Sequence, residues 1–405
     1  MNILEEIQNC PVEWKELGEV CELKNGYTPS KTNKEFWENG TIPWFRLEDI
    51  RKNGRVLSNS LQHVSRNAIK GGKVFTANSL IVSTTATIGE VALITVPFLC
   101  NQQITAVMIK QKYEKDLDIK FLFYYLQILS SDMKKGINEG SFPIVSLSKM
   151  RSFKIPIPPL KIQEKIVQIL DKFTEYVTEL TSELTSELTS RKKQYSFYRD
   201  KLLSFEDEVY QVEWKTLNEC LKKGKGTKIT ASQMKLLHKE GAPIRIFAGG
   251  KTYADVNYGD IPDKDIHTEE AIVVKSRGII DFEYCTEPFS FKNEFWSYSS
   301  DNENINLRYI YHYLVHNKEY FQNIANNMQM PQISSNDTEK FKIPVPSLEI
   351  QSRIVQVLDN FDTVCNDLNI GLPREIELRQ KQYEYFREKL LTFTAEGVYT
   401  ESRVE

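Results

Sequence analysis

The sequence has few cysteines, no long hydrophobic run and almost no net charge. Its six cysteines lie far apart and form no Cys-x-x-Cys pair, so neither a disulfide framework nor a zinc knuckle is expected. No apolar stretch approaches the roughly 20 residues of a membrane-spanning helix. The first residues also lack the basic-then-apolar order of a secretory signal. We therefore expect a cytoplasmic protein with no membrane partner.

The charge balance does not point to a nucleic-acid partner. The 405 residues include 52 Lys and Arg against 55 Asp and Glu, which gives a net charge of −3. Strongly basic domains are typical of nucleic-acid binding, so any DNA-binding hypothesis has to rest on local clusters and architecture. The composition, 40% hydrophobic and 26% charged, is that of a globular protein, and the length predicts more than one domain.

An internal repeat organises the chain. Residues 153–173 recur at 341–361 with 14 of 21 positions identical, and residues 191–205 recur at 379–393. The opening Val12-Glu-Trp-Lys15 returns as Val212-Glu-Trp-Lys215. The segments in the middle of the two copies, roughly 16–110 and 216–300, differ in sequence. Two modules with one frame and unlike middles suggest two similar surfaces for two targets, although neutral drift in a duplicated scaffold would give the same pattern.

Short β-branched runs between Gly and Pro predict strands, and longer amphipathic runs predict helices. The predicted strands are 80–82, 91–94, 104–109, 271–274 and 278–284, and the predicted helices are 118–129 and 307–325. The prolines at 156–159 and 344–346 predict an extended exit from each module. Each module is thus expected to mix helices and strands.

A long helix should follow each proline exit. Apolar residues alternate at spacings of three and four in both copies, which is typical of a coiled-coil seam. The seam residues are Ile166, Leu170, Phe173, Val177, Leu180, Leu184 and Leu188, and Ile354, Leu358, Phe361, Cys365, Leu368, Leu372 and Ile376. The two helices either pair with each other or pack separately on their own modules. Gly371-Leu-Pro373 predicts a break in the second helix.

A tetrapeptide is written three times in the first helix, as Glu-Leu-Thr-Ser from Glu179 to Ser190. We call this segment the ELTS tract. Each unit of four adds about 6 Å of helix, so the number of units predicts the distance between the two modules. The alternative is a tolerant linker with no such role.

The motifs that resemble catalytic sites each lack an essential residue. Gly250-Lys-Thr252 resembles the end of a phosphate loop, but Arg245 replaces the glycine that such a loop requires. His312 and His316 have helical spacing without the glutamate of a zinc protease. We therefore predict a chain with no catalytic residue and no metal site.

The candidate DNA-binding residues have side chains that suit phosphates or base edges, because Arg and Lys favour phosphate or guanine and Asn and Gln favour adenine. Four lysines in 222–228 predict a flexible basic loop. The candidates in the first module are Thr28, Ser30, Lys31, Arg46, Glu48, Thr85, Thr87, Gln102 and Gln103. Those in the second are Lys222, Lys225, Lys228, Lys251, Lys275, Arg277, Lys292, Asn293 and Trp296.

The pattern resembles the specificity (S) subunit of type I restriction-modification systems. The resemblance lies in the VEWK opening, the IPIPPL-x-x-Q exit at 155–163, the helix end KKQYSFYRDKLLSF at 192–205, and the second exit helix with GLPREIELRQKQY at 371–383. The segment 85–90, TATIGE, is also similar to the family pattern, from which Ser276-Arg277-Gly278 departs. The ELTS tract is similar to short repeats in one subgroup of the family.

The resemblance implies two α/β (α+β) target-recognition domains separated by two long antiparallel coiled-coil helices with pseudo-twofold symmetry. The boundaries that follow are domain 1 at 1–160, the spacer helix at 161–205, domain 2 at 206–348, the second helix at 349–395 and a tail at 396–405.

It also implies partners. They are double-stranded DNA with an asymmetric bipartite target, two modification subunits that methylate adenine with S-adenosylmethionine, and two restriction subunits that use ATP and Mg²⁺. The chain itself is expected to bind no cofactor. The repeated helix residues predict the partner surface: Lys192, Lys193, Tyr195, Arg199, Lys381, Tyr383 and Arg387. The alternatives are a protein-binding scaffold and a self-sufficient DNA enzyme.

Overall fold

The computed structural model describes residues 3–85, 87–135, 144–205, 212–325 and 331–393. The chain forms two compact units, which do not coincide with simple halves of the sequence. Unit 1 contains residues 1–181 and 378–405, and unit 2 contains residues 182–377. Each unit therefore holds one module and parts of both long helices. We call the parts of the units outside the long helices module 1 and module 2.

The strands follow the chain in this order: β1 Glu13–Glu16, β2 Cys21–Asn25, β3 Ile42–Phe45, β4 Val56–Leu57, β5 His63–Val64, β6 Ser79–Ser83, β7 Val91–Ile94, β8 Leu99–Cys100, β9 Ile104–Ile109, β10 Lys154–Ile157, β11 Glu213–Thr216, β12 Lys222–Lys225, β13 Ile244–Phe247, β14 Tyr253–Val256, β15 Ala271–Lys275, β16 Asp281–Cys285, β17 Phe289–Phe291, β18 Trp296–Ser299 and β19 Lys342–Val345.

The α-helices are α1 Ile3–Gln8, α2 Leu17–Val20, α3 Leu47–Asn53, α4 Ile119–Lys135, α5 Leu147–Arg151, α6 Leu160–Ser204, α7 Leu217–Cys220, α8 Ala231–Leu237, α9 Leu307–His316, α10 Lys318–Ala325, α11 Ser335–Glu339, α12 Leu348–Asn366 and α13 Leu372–Leu391. Within the described residues, no helix is both long and apolar enough to cross a membrane.

Within the described residues, each module contains two larger sheets and one two-stranded ribbon. In module 1 the orders are β2-β9-β6-β7-β4 and β5-β3-β8, and in module 2 they are β12-β18-β15-β16 and β14-β13-β17. Strands β6, β7, β9 and β15 lie on four of the predicted segments and confirm them. These strands are buried on both faces of the sheet, which explains their continuous apolar, β-branched sequences. The strand predicted at 278–284 is β16, which begins three residues later at Asp281.

The repeated opening and exit of each module pair with each other. Strand β1 runs antiparallel to β10, with Trp14 opposite Pro156, and β11 runs antiparallel to β19, with Trp214 opposite Pro344. Proline is tolerated here because each pair is a two-stranded ribbon with free edges. The proline exits are extended, as predicted.

A buried glutamine fixes the start of each long helix. Gln163 is fully buried, and its side-chain amide donates to the carbonyls of Asp116 and Pro158, each at 2.7 Å, and accepts from the amide of Asp118 at 2.8 Å. Gln351 makes the same three bonds in module 2, at 3.0, 2.8 and 2.9 Å. These bonds satisfy the buried groups and set the direction in which each helix leaves its module.

The long helices contribute to the core of both units. In unit 1, Ile166 and Leu170 of α6 share a core with Leu390 and Leu391 of α13, and the rings of Phe173 and Phe386 stack at 5.6 Å. In unit 2, Leu203 of α6 lies in a core with Ile354 and Leu358 of α12. The long helices therefore contact each other within each unit, but through the C-terminal part of the opposite helix and not seam to seam. The same seam residues also pack on their own module, so each of the two sequence alternatives holds in part.

The helix predictions need two corrections. The helix predicted at 307–325 is interrupted at Asn317, whose side-chain amide donates to the carbonyl of Tyr313 at 2.8 Å and ends α9. The second long helix breaks, as predicted, but the break begins at Asp367. Leu368 therefore leaves the seam and is 71% exposed. Gly371 is required because a Cβ there would lie 2.5 Å from the carbonyl oxygen of Thr363.

Candidate nucleic-acid interface

Four loops meet at one end of the sheets in each module. In module 1 they are L1 (residues 26–31), L2 (46–48), L3 (84, 85 and 87) and L4 (101–103). In module 2 they are L1′ (226–230), L2′ (248–252), L3′ (276–279) and L4′ (292–294). Each loop directly follows a strand of one of these sheets. Loops L1 to L4 follow β2, β3, β6 and β8, and loops L1′ to L4′ follow β12, β13, β15 and β17.

In module 1, L1 lies against L4. The amide of Gly26 donates to the carbonyl of Ile104 at 2.9 Å, and that of Tyr27 donates to Cys100 at 2.8 Å. A Cβ on Gly26 would lie 2.2 Å from the Cys100 carbonyl oxygen, so only glycine allows this approach. The Thr28 hydroxyl consequently reaches the side-chain oxygen of Gln102.

Loop L4 also contacts L2 and L3. The amide of Asn101 donates to the carbonyl of Phe45, immediately before L2, at 3.0 Å. The amide of Thr84 in L3 donates to the carbonyl of Gln103 at 3.0 Å. Loop L4 is thus the centre of the group, and the four loops form one polar surface.

Module 2 repeats this arrangement with different side chains. The amide of Thr227 donates to Phe291 at 2.8 Å, and the amide of Lys292 donates to Phe247 at 3.1 Å. The hydroxyl of Ser276 donates to the carbonyl of Glu294 at 2.8 Å. A Cβ on Gly226 would lie 2.2 Å from the Phe291 carbonyl oxygen. The backbone frame of the surface is therefore the same in both modules.

The third loops show how the side chains differ on this common frame. The carbonyl of Thr84 accepts from Val145 at 2.9 Å, and that of Ser276 accepts from Ile333 at 3.0 Å. The next residue is Thr85 in module 1 and Arg277 in module 2, and both form an isolated bridge to the segment before α5 or α11. The same position thus offers a hydroxyl in one module and a guanidinium in the other.

All nine candidates of module 1 lie on the four loops. Arg46 pairs with Glu48 at 3.1 Å, and its guanidinium lies 5.6 Å from the centre of the Trp44 ring. The Thr87 hydroxyl accepts from Arg51 at 2.8 Å. The Arg46 and Thr87 side chains are therefore held in place by neighbours, while Ser30 and Lys31 are exposed. The surface carries hydroxyl, amide and charged groups together.

Five of the nine module 2 candidates lie on the loops, and a sixth adjoins them. The five are Lys228, Lys251, Arg277, Lys292 and Asn293, and Lys225 ends β12 beside Gly226. All except Lys292 are exposed. Lys292 is half-buried and pairs with Glu294 at 2.6 Å. Burial by itself would raise the pKa of Glu294. The hydrogen bond and charge of Lys292, a backbone hydrogen bond and the charge of Arg277 together outweigh burial, so this pKa lies below its usual value.

Three of the candidate residues of module 2 do not lie exposed on the loops, so these predictions are wrong. Trp296 is buried in the core of unit 2, and its indole donates to the Thr338 hydroxyl at 3.1 Å. Lys275 is 3% exposed, because its ammonium is directed inward. Lys222 begins β12, at the far end from the loops, and pairs with Asp301. The segment predicted as a flexible loop, 222–228, is a strand in its first four residues.

Sequence reasoning missed an aromatic residue beside L2′. Tyr253 is 49% exposed, and the guanidinium of Arg245 lies 4.2 Å from the centre of its ring. Arg245 is held by Asp255 at 2.7 Å. Tyr253 lines an open pocket of about 470 Å³ with Lys235, Thr252 and Lys292. A tyrosine at a strand start is typical of a core position, so the sequence carried no signal for this pocket.

The predicted partner surface contains exposed and packed residues. Lys192, Lys193 and Lys381 are exposed. The Tyr195 ring packs against Phe361 at 5.9 Å, and burial raises the pKa of its hydroxyl. The Tyr383 hydroxyl lies 3.0 Å from that of Thr174. Both tyrosines therefore hold the long helices together.

The arginines of the predicted partner surface are also engaged within the chain. Arg387 donates to Gln127 at 3.1 Å, and Arg199 pairs with Asp200 at 2.8 Å. Two exposed aromatic residues at equivalent positions were missed, Phe197 at 61% and Tyr385 at 55% exposure. They extend the candidate surface on each helix.

A His-Asp cluster links module 2 to α12. The ligand atoms of His312, Asp359 and Asp362 lie within 4.8 Å of one another. His312 bonds to Asp359 at 2.7 Å, and burial lowers the pKa of its ring. Because Arg308 already pairs with Asp359 at 2.9 Å, we interpret the cluster as a connection between α9 and α12. Lys120 and Tyr124 of α4 contact Asp171 of α6 in the same way.

Known structures share this fold across nearly the whole chain. The S subunit of the type I restriction-modification system from M. genitalium superposes with a TM-score of 0.54 at 17% identity, covering 96% of this chain and 98% of that one. A chain from a structure on complex assembly and conformational transition of the type I system gives a TM-score of 0.67 at 16% identity, covering 95% and 98%. At such identities these likenesses establish the fold.

Sequence comparison establishes the family. The chain is 41% identical over 369 residues to the Escherichia coli type I restriction enzyme EcoprrI specificity subunit, covering 88% of this chain and 89% of that protein. It is 35% identical over 299 residues to the E. coli EcoR124I/EcoR124II specificity subunit, covering 68% and 71%. A family model described as the type I restriction modification DNA specificity domain matches residues 11–190 and 211–378. This chain therefore belongs to the family of type I restriction-modification specificity subunits.

Proposed function

We propose that this chain binds double-stranded DNA at an asymmetric, bipartite target and directs partner subunits to it. The observation that supports this most is the pair of loop surfaces, L1–L4 and L1′–L4′, with one backbone frame and different side chains. Identical surfaces would recognise the two halves of a symmetric site. Because Thr85 and Arg277 occupy one position with different chemistry, the two half-sites should differ in sequence.

The side chains on the loops divide between two tasks. Arg277 offers the fork of donors that suits guanine, whereas Gln102, Gln103 and Asn293 offer the donor and acceptor pair that suits adenine. The exposed lysines on the loops, which include Lys31, Lys228 and Lys251, contact phosphates and set the position of each module. The nearly neutral chain requires that partner subunits supply much of the remaining phosphate neutralisation.

The chemistry belongs to the partners in this proposal. Two modification subunits methylate adenine with S-adenosylmethionine, and two restriction subunits use ATP and Mg²⁺ for translocation and cleavage. This chain supplies no catalytic residue and binds no cofactor. The family of the chain supports this division, as does the structure of a type I system complex assembly to which its fold is similar.

Substitution of Arg277 tests recognition by module 2. In the complex with the modification subunits, Arg277→Ala should weaken binding to the target duplex by about 1–3 kcal/mol and lower discrimination at one position of one half-site. The measurement is equilibrium binding to the target and to duplexes with single base changes. Lys251→Ala is the matched control, since loss of a phosphate contact should weaken all duplexes alike and reduce the salt dependence.

The same experiment separates the proposal from its alternative. A protein scaffold whose modules bind other proteins would show no preference between the target duplex and an unrelated duplex. If neither substitution changes DNA binding while the modification subunits still bind, the result favours the scaffold hypothesis and contradicts the DNA-binding proposal.

Two equivalent helix surfaces should bind two modification subunits. Phe197 and Tyr385 are both more than half exposed, and internal pseudo-symmetry presents the same patch twice. We expect Phe197→Ala and Tyr385→Ala each to leave one tightly bound modification subunit, and the double variant to leave none. Native mass measurement at saturating partner concentration counts the copies. Leu236→Ala is the control, because Leu236 is an apolar residue of module 2 that is 84% exposed. A wild-type complex with one copy at saturation contradicts the proposal.

A further inference from the structure

A buried lysine connects the core of module 2 to the tip of L2′. Lys275 ends β15 and is 3% exposed. Its ammonium donates to the carboxylate of Glu283 at 2.5 Å and to the carbonyl of Gly250 at 2.9 Å. A buried charge is costly unless it is paired and hydrogen-bonded. Both bonds therefore stabilise the buried ammonium. Gly250 lies 25 residues upstream, at the turn between β13 and β14.

The turn that Lys275 holds has little else to fix its tip. Within the described residues, the backbone bonds of L2′ are those of Ala248 to Thr252 at 3.0 Å and of Thr252 to Gly249 at 3.2 Å. Gly250 has a φ of +61°, and a Cβ there would meet no atom within 4 Å. Two adjacent glycines have many accessible conformations. The bond from Lys275 therefore selects one of them.

Module 1 uses the equivalent position to hold a different loop. Ser83 ends β6 just as Lys275 ends β15. The Ser83 hydroxyl donates to the carbonyl of Thr87 and accepts from the amide of Glu90 at 2.8 Å. It thus fixes the turn that carries L3. One interior position in the common frame anchors L3 in module 1 and L2′ in module 2.

We propose that Lys275 is a positioning residue for specificity, which holds the L2′ turn in the shape that recognises the second half-site. The inference rests on the proposed function, since it requires that L2′ contacts DNA. Lys275 makes no contact with DNA itself. It fixes Lys251 and Thr252, and it keeps Tyr253 and its pocket next to Lys292. Contacts held by a rigid support contribute more to discrimination than contacts on a mobile turn.

The test replaces the ammonium by an uncharged group of similar length. Lys275→Met should reduce the preference for the target over duplexes altered in the second half-site by about tenfold. The preference over duplexes altered in the first half-site should not change. Binding to unrelated DNA should also be unchanged, because Lys251 keeps its charge. Binding is measured with the full chain in complex with its modification subunits, on duplexes that differ by one base pair.

Lys318→Met is the matched control. Lys318 also pairs with an acidic residue of module 2, Asp281, at 2.8 Å, but it lies on α10 and its bond does not involve L2′. It should change stability without changing discrimination. A selective loss in Lys275→Met and none in Lys318→Met supports the proposal. Equal loss in both half-sites, or no loss at all, overturns it.

A second variant covers the case in which Lys275→Met does not fold. Gly250→Val disturbs the same turn from the solvent side, because valine does not tolerate a φ of +61° and no neighbouring atom obstructs it. Unchanged discrimination in the second half-site then overturns the proposal. If the wild-type chain shows no preference for the target duplex, the proposed function is wrong. If the wild-type chain shows this preference and both variants keep it, only the role assigned to Lys275 is wrong.

Discussion

Exchange of residues 16–110 for the corresponding segment of another specificity subunit should change one half of the methylated target and leave the other half and the spacing unchanged. The segment starts at the end of β1 and ends just after β9, so it contains all of L1 to L4. It leaves the β1–β10 ribbon and the Gln163 bonds in place. The first half-site should lose methylation by about 10³-fold or more, which is the usual gap between specific and non-specific affinity.

The measurement is methylome sequencing of a strain that expresses the exchanged chain. The donor segment has to keep the apolar residues that pack on α4, among them Leu80, Val82 and Val107 in the shared core. Exchange of residues 216–300 is the reciprocal control and should alter only the other half. If either exchange alters both halves of the motif, the modules do not recognise DNA independently.

The frame of the molecule could be predicted from the sequence because the repeat preserves it. Residues 153–173 and 341–361 are similar because they carry the exit strand, the buried glutamine and the helix start. The buried role of Gln163 and Gln351 requires three specific bonds each, so the residue type is retained in both copies. Strands buried on both faces, such as β6 and β9, were also predictable from their continuous β-branched runs.

The meeting of the loops could not be predicted, because it depends on strand order. Strands β18 and β15 are neighbours, and β13 pairs with β17 across more than forty residues of chain. Lys275 follows four buried apolar residues and therefore resembles a strand end that enters solvent. The 248–252 turn returns over its ammonium, which bonds to the carbonyl of Gly250. Trp296 resembles an exposed aromatic next to Lys292 and Asn293, yet the alternation of β18 directs it into the core.

Deletion of one unit of the ELTS tract should have a second large effect, a change in the distance between the half-sites. Helix α6 is continuous from Leu160 to Ser204 and includes the whole tract. Leu180, Leu184 and Leu188 are half-buried at intervals of four residues, while most of the glutamates and serines between them are exposed. Removal of one unit therefore returns a leucine to each leucine position. The apolar stripe survives such a deletion, which a loss of one or two residues would not allow.

The geometry of the helix matches that of DNA closely enough for recognition to persist. One unit adds about 6 Å and about 40° of rotation, and one base pair adds about 3.4 Å and about 35°. We propose that the tract sets the unread spacer. Deletion of Glu183–Ser186 should leave both half-sites unchanged and shorten the spacer by one or two base pairs.

Methylome sequencing of the deletion strain measures the spacer directly. Two controls separate length from composition. Glu183→Ala changes the tract without changing its length and should leave the spacer as in the wild type. Deletion of Thr185 and Ser186 alone rotates the following helix by about 200° and moves Leu188 off the stripe, so it should abolish methylation. An unchanged spacer with full activity after deletion of Glu183–Ser186 would show that the tract is only a tolerant linker, since a helix that sets the distance cannot lose four residues without moving the half-sites.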